Sequence, residues 1–509
     1  MKKLLSIFTA IIALLGLFAF FIQNAEARFS GGHSSSSHSS GSHSSGSSFS
    51  WSSHSSSYSY SNNSASSAKW DDIGLSVFII FIIFVLLIIF IIYSSNSKTV
   101  ISQSNINNFD ESQLINFKQR DVNFSRIVFL DFVHLLYVKF YSYYGKKEFS
   151  YLKPYLDESI QNDKMLDLLI SRQVIIINEI VINSARIYSI NSTATDDSIT
   201  VEIESNFTVC PVQQSGEQHS RYIRTERWFL QRNKGLLSPA PETMQALSCP
   251  ACGAAANFTD AGECQSCRTV IIKGKQQWYV KDRFVLNQTL LNTGDLVAYS
   301  EEQGTDLRTQ TSPTLLQEIA NFEKQRAIIW SDYWINFKQQ IVQNYFVELN
   351  TAWTNHDLTK VRHLVSDRLY EANSFWMALY KKQQWNNRLD DLKISDIQLV
   401  KIELDIYYET ITVRVFASCF DYTQDKQNKI IGGSNKKRRD YSEYWTFARR
   451  AGVEQTEESP FNINSCPQCG APADKMGQTA ICEYCGSKIS TGKFSWVLFL
   501  ITQDEVYLG

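Results

Sequence analysis

Residues 401–419 read KIELDIYYETITVRVFASC, and their hydropathy changes sign at nearly every step. Ile402, Leu404 and Ile406 alternate with Lys401, Glu403 and Asp405; Ile411, Val413, Val415, Ala417 and Cys419 then alternate with Thr412, Arg414 and Ser418. A period of two puts one set on each face of a pleated strand, so two half-buried antiparallel strands are predicted, with Cys419 in the core. Upstream the period is different. Trp334, Phe337, Ile341, Tyr345, Leu349 and Trp353 recur every three or four residues, which is the apolar stripe of a long helix. The segment 357–370 and a stretch through Trp385, Leu389 and Leu392 continue the helical pattern as far as Ser395, with Asp357 or Thr359 as cap of the middle helix. Further strands are expected around Trp445 and through Phe494, Trp496 and Leu498. Helices followed by an antiparallel sheet give an α+β arrangement in which the helices cover one sheet face.

The same order occurs earlier in the chain. A helix is expected near Phe124–Tyr144, helical segments to about Ile182, a strand through Ile199, Val201, Ile203, Phe207 and Val209, and another around Trp228. Cys210 breaks that alternation and takes no role. Eight of the ten cysteines fall into paired knuckles, Cys249/Cys252 with Cys264/Cys267 and Cys466/Cys469 with Cys482/Cys485. Each set is C-x2-C twice, separated by 11 or 12 residues, which is the ligand spacing of a tetrahedral four-thiolate zinc site. Four thiolates fill the shell and leave no position for water, so two structural Zn2+ ions are expected rather than hydrolytic ones. Glycine follows three of the knuckles and allows the positive φ of a tight turn; Arg268 follows the other. Cys249 to Cys466 and Trp228 to Trp445 are both 217 residues apart, and Cys264 to Cys482 and Trp278 to Trp496 both 218. Glu226-x-Trp228 thus matches Glu443-x-Trp445, and one module of about 190 residues is read as present twice.

The amino end has another character. Lys2 and Lys3, an apolar stretch from Leu4 to Ile22 and the ending Ala25-Glu26-Ala27 read as a secretory signal, with a retained anchor as the competing reading. Arg28 to Trp70 holds 23 serines in 43 residues with four histidines, too little apolar surface for a core. Residues 73–93, IGLSVFIIFIIFVLLIIFIIY, carry no charge and span about 31 Å as a helix, enough to cross a bilayer. Counting crossings places the serine tract outside and residues 94–509 in the cytoplasm, a reducing compartment where paired knuckles bind metal instead of oxidising. The chain thus divides into a signal at 1–27, a Ser/Gly/His-rich tract at 28–72, a transmembrane helix at 73–93, a linker at 94–110, a first zinc-ribbon domain at 111–295, a linker at 296–315 and a second domain at 316–509.

The order of elements resembles the cone-shaped nuclear-transport-factor-two-like fold. A signal, a Gly/Ser/His-rich tract, one membrane helix and a domain closing on CPQCG (466–470), CEYCG (482–486) and the aromatic strand KFSWVLFLI (493–501) resemble bacterial membrane proteins with a Tim44-like domain. That family takes its name from the tether of the mitochondrial inner-membrane import motor. The resemblance implies residence in the bacterial inner membrane, a binding-module character and a link to protein translocation; the chain has no evident chaperone-recruiting segment.

With 49 Lys and Arg against 51 Asp and Glu, the net charge of -2 gives no cationic field for nucleic acid, and the loops between knuckles are nearly uncharged. The reading is therefore a membrane-anchored, non-catalytic scaffold that docks a partner protein or the membrane surface. Lys436, Lys437, Arg438 and Arg439, after Gly432-Gly433, form a basic turn suited to an anionic leaflet. The alternative is an enzyme, or a small-molecule or lipid binder, that uses an apolar pocket of the cone. Its candidates are few: His134 lies among apolar helix residues and reads as core, and His356 and His363 read as cap or surface residues.

Overall fold

The computed structural model describes residues 109–291, 304–453, 465–472, 480–504 and 507, with interruptions at 164–165, 168–169, 171–174, 212–219, 245–247, 256 and 260. The signal, the serine tract and the membrane span fall outside the described residues. Among those described, no helix is long and apolar enough to cross a membrane.

In the first module, α1 (Glu111–Arg120) is capped by Asp110, whose side chain accepts from the Ser112 amide, and α2 (Arg126–Tyr144) by Ser125. Helix α2 is apolar nearly all round because it lies between layers; Phe129, Val133, Leu136, Tyr137 and Phe140 are wholly buried. Two short 3-10 segments, Ser150–Tyr155 and Glu158–Gln161, precede four strands: β1 (Ile175–Ser192), β2 (Asp196–Pro211), β3 (Ser220–Asn233) and β4 (Tyr279–Leu290). They form an antiparallel sheet in the order β1-β2-β3-β4.

The second module begins with α3 (Leu315–Arg326). A continuous helical run follows: α4 (Trp330–Asn336), a π-helical stretch (Phe337–Gln343) and α5 (Asn344–Thr354). Helix α6 (Asp367–Lys382) and strands β5 (Asn386–Leu404), β6 (Tyr408–Gln424), β7 (Ile430–Gly433), β8 (Arg439–Arg450) and β9 (Val497–Gln503) complete it. The sheet order is β5-β6-β8-β9, with β7 paired to β6. Each module has its own core, one around Tyr137, Phe140 and Trp228, the other around Tyr345, Leu349 and Trp445. On β6, Ile411, Val413, Val415, Ala417 and Cys419 are buried on one face as expected, but the strand is not half-buried: Thr410, Thr412 and Arg414 on the other face are covered too. Ile406, expected on the apolar face of the preceding strand, lies in the turn after β5 and is exposed.

Two helical expectations are corrected. Residues 175–182 are the start of β1, and Leu389 and Leu392 lie on β5, because α6 stops at Lys382 and the strand begins at Asn386. Both strands carry a bulge that breaks their alternation. The β1 register shifts between Asn178 and Val181, Ile182 and Ser184, and Ile187 and Ser189; that of β5 shifts between Asp390 and Lys393, Ile394 and Asp396, and Leu399 and Lys401. Glu179 (φ 48°) and Asp391 (φ 51°) hold the left-handed conformation at the first bulge of each. The extra residue turns a two-residue step into three, which imitates a helical repeat.

Candidate metal centres and the surfaces around them

All four knuckles fold alike. The amide of the residue after the second cysteine donates back to the carbonyl of the first: Gly253 to Cys249, Arg268 to Cys264, Gly470 to Cys466 and Gly486 to Cys482, each at 2.8 Å. Closing so tight a loop requires positive φ, and the angles are 74°, 61°, 74° and 69°. Arg268 therefore adopts the glycine conformation without being glycine.

These turns bring the thiols together. In each cluster the four Sγ atoms lie within 4.8 Å of one another. Cys249 and Cys267 are 3.9 Å apart, Cys252 and Cys264 4.0 Å, Cys466 and Cys485 3.8 Å, and Cys469 and Cys482 3.7 Å. A tetrahedron of thiolates at about 2.3 Å from a central ion has edges of about 3.8 Å, so both donor sets fit a tetrahedral metal. Cys249, Cys264, Cys466 and Cys482 are buried. Hydrogen bonds from Thr269 and Ser487 bring the Cys267 and Cys485 thiols down to about 6, so part of each donor set favours the thiolate on its own.

The segment after each cluster returns to its sheet in the same way. The Gly274 carbonyl accepts from the Asn233 amide and the Gly492 carbonyl from the Arg450 amide, both at 2.8 Å. Trp278 then lies 4.3 Å from the Arg232 guanidinium and Trp496 4.5 Å from that of Arg449. The paired Glu-x-Trp motifs also have matching geometry: Trp228 Nε1 donates to Glu226 Oε2 and Trp445 Nε1 to Glu443 Oε2, each at 3.0 Å.

Glu226 shows what the interior of the first module does with its charges. Its Oε1 accepts from Tyr141, from Arg224 at 3.2 Å and from Arg283 at 3.0 Å, while both arginines also reach Asp163. The cluster is buried and mutually neutralising, which is the arrangement of a structural network; a general acid or base needs a free lone pair or proton facing a ligand.

The basic turn is less uniform than its sequence suggests. Arg438 pairs with the Asp391 carboxylate and donates to the Asp391 carbonyl at 2.8 Å; Arg439 donates to Asp421 at 2.8 Å with its side chain 10% exposed. The backbone amides of Lys436 and Lys437 are held by Ser434 Oγ. Two of the four cations thus face carboxylates of their own sheet.

Asp357 does cap the 3-10 turn Leu358–Val361 by accepting from the Thr359 amide, whereas α6 is capped by Ser366. His356 sits at φ 55° and bonds Asn386 Oδ1 at 2.7 Å. His363 is only 3% exposed, so its expected surface position is corrected: it is buried beside the core residues Leu364 and Val365. His134 is half-buried at the boundary between the modules, with Nε2 3.8 Å from Glu371 Oε2.

That boundary contains a cluster the sequence did not announce. Arg126 reaches Glu111 at 2.7 Å and Glu403 at 3.3 Å, and Lys401 reaches Glu111 at 2.7 Å and Glu403 at 3.8 Å. Burial raises the Glu403 carboxyl, but Arg126, Lys401 and Lys118 outweigh it and hold the group at about 2. Glu111 and Arg126 lie hundreds of residues from Lys401 and Glu403, so no local pattern marks the cluster. Tyr407 and Tyr408, at the turn into β6, pack against the first module's core. The modules are joined through charge and aromatic contact.

Residues 336–463 match the family model described as Tim44-like domain. The match runs from the end of α4 through β8 and stops before Cys466. No curated protein matches the chain.

Proposed function

We propose that this chain is a membrane-anchored, non-catalytic scaffold whose modules dock a partner protein, in association with protein translocation. The observation that carries the reading is the Tim44-like match over the α5–α6–β5–β8 body of the second module. Around it, the reading takes the two cysteine clusters as structural zinc sites, the two modules as one duplicated unit of the cone-shaped nuclear-transport-factor-two-like kind, and residues 73–93 as the anchor in a bacterial inner membrane with the modules on the cytoplasmic side. Four-thiolate sites leave no open coordination position, and the buried acids of the first module are occupied by arginine and tyrosine, so binding is favoured over catalysis. Two modules on one anchor raise the effective concentration of the second once the first has engaged. Lys436 and Lys437 are the part of the basic turn proposed to meet anionic lipid.

The test is photocrosslinking from exposed positions of the second module, such as Leu316 and Val347, in the native membrane. Discrete adducts with a component or a client of the translocation machinery are expected. Adducts indistinguishable from those of an unrelated anchored protein would remove the reading.

A further inference from the structure

A cavity of about 380 Å³ opens between the modules, walled by one face of α2, the first turn of α6 and the segment joining the second cysteine cluster to β9. Its charged groups fall into two sets. Asp367 is satisfied within the protein, taking Arg362, Lys488 and, at 2.8 Å, the Ser490 hydroxyl. Arg368 is not. It is 7% exposed, and its Nη2 has no hydrogen-bond partner among the described residues. Across the cavity, Asp131 makes no hydrogen bond or ion pair among the described residues, and its influence on Arg368 is purely through space. Crowding by protein raises the affinity of the Asp131 carboxyl for a proton, and Arg368 opposes that through space. Lys139 is likewise unpaired among the described residues, and His134 Nδ1 has no partner.

A buried guanidinium without an acceptor is costly, and an acid and a cation that share a cavity without touching leave room for a ligand between them. A simple anion would meet Arg368 but also face Asp131 and Glu371; a simple cation would meet the reverse. Leu135, Val138, Val497 and Phe499 supply an apolar wall beside these charges. We propose that the cavity binds a free α-amino acid with an apolar side chain. Arg368 and Lys139 take its carboxylate, Asp131 and Glu371 its ammonium group, and the Leu135–Phe499 wall its side chain. Because the walls come from both modules, an occupant bridges them and stiffens their junction.

The experiment uses the full chain purified in detergent. Melting is first followed with each standard L-amino acid at millimolar concentration, and any stabilising one is then titrated calorimetrically beside acetate and 3-methylbutylamine. Apolar amino acids are expected to raise the melting temperature and bind saturably, with affinity falling at least about tenfold in Asp131→Asn and in Lys139→Gln. Arg368→Gln should abolish binding, and circular dichroism of that variant separates lost binding from lost folding. The proposal is overturned if no amino acid shifts the melt of the folded chain, or if binding is unchanged in both Asp131→Asn and Lys139→Gln. Acetate binding as tightly as the amino acids would also overturn it, because an anion would then suffice.

Discussion

Replacing Gly470 by alanine isolates the backbone requirement of a knuckle. Gly253, Gly470 and Gly486 sit at φ 74°, 74° and 69°, and a Cβ built on any of them meets nothing within 4 Å. Steric contact with neighbours therefore contributes nothing, and what remains is the left-handed conformation itself, which costs an L-residue about 1–2 kcal/mol. Arg268 already bears that cost at φ 61°, and its contact with Glu263, at 3.6 Å on a side chain 76% exposed, returns little. Gly470→Ala and Gly486→Ala should each weaken metal retention by about 2- to 5-fold, the factor left when alanine's smaller freedom in the unfolded chain returns about 0.5–1 kcal/mol of that cost. Arg268→Gly should strengthen retention in the first cluster by less than about fivefold, because glycine's greater freedom in the unfolded chain takes back about 0.5–1 kcal/mol. Zinc transfer to a chromophoric chelator, followed for each variant of the full chain, reads these differences directly. Unchanged retention in Gly470→Ala, or loss of zinc in Arg268→Gly, would refute the argument that backbone conformation sets the knuckle.

Other consequences can be tested on the same protein. Gly492→Ala places its Cβ 2.9 Å from Arg449 Cα and 3.3 Å from the Ala448 carbonyl oxygen, so β8 itself must yield; the nearest atom at Gly274 belongs to the Tyr279 ring at 3.1 Å, which can turn aside. Urea unfolding should show Gly492→Ala losing about 2–4 kcal/mol and Gly274→Ala about 1–2 kcal/mol. The Glu403 carboxyl is held at about 2, below its ordinary 4.5, so its contribution is fully present above pH 4.5 and is lost as pH falls from there through 2. Urea midpoints should therefore fall over that interval in wild type and fall less in Glu403→Gln, which itself should lose about 1–3 kcal/mol at neutral pH. Reversing the charges of Lys436 and Lys437 should lower binding of the full chain to anionic liposomes and leave its binding to neutral ones unchanged.

Strand β6 was legible from the alternation of Ile411, Val413, Val415, Ala417 and Cys419, and the clusters because C-x2-C spacing is a direct statement about ligand geometry. The starts of β1 and β5 were hidden by their bulges: with Asp391 inserted at positive φ, Leu389 and Leu392 sit three apart and read as helix. His363 was misplaced because a polar residue near a short helix reads as exposed, whereas here the chain turns inward between Val361 and Val365, both buried. The cavity at Asp131 and Arg368 and the cluster at Glu111 and Lys401 were invisible for another reason. They exist only once two modules, each complete in its own pattern, are set against one another.

Native mass spectrometry of the full chain under reducing conditions tests the account most directly, since the non-catalytic side of the reading requires both four-thiolate clusters to hold a closed tetrahedral metal. Two zinc ions per chain are expected, and their removal by chelator should be accompanied by a large loss of folded structure, because structural zinc contributes about 10–16 kcal/mol of apparent binding free energy. A chain that carries less than one zinc per cluster, or that melts identically with and without chelator, would contradict it.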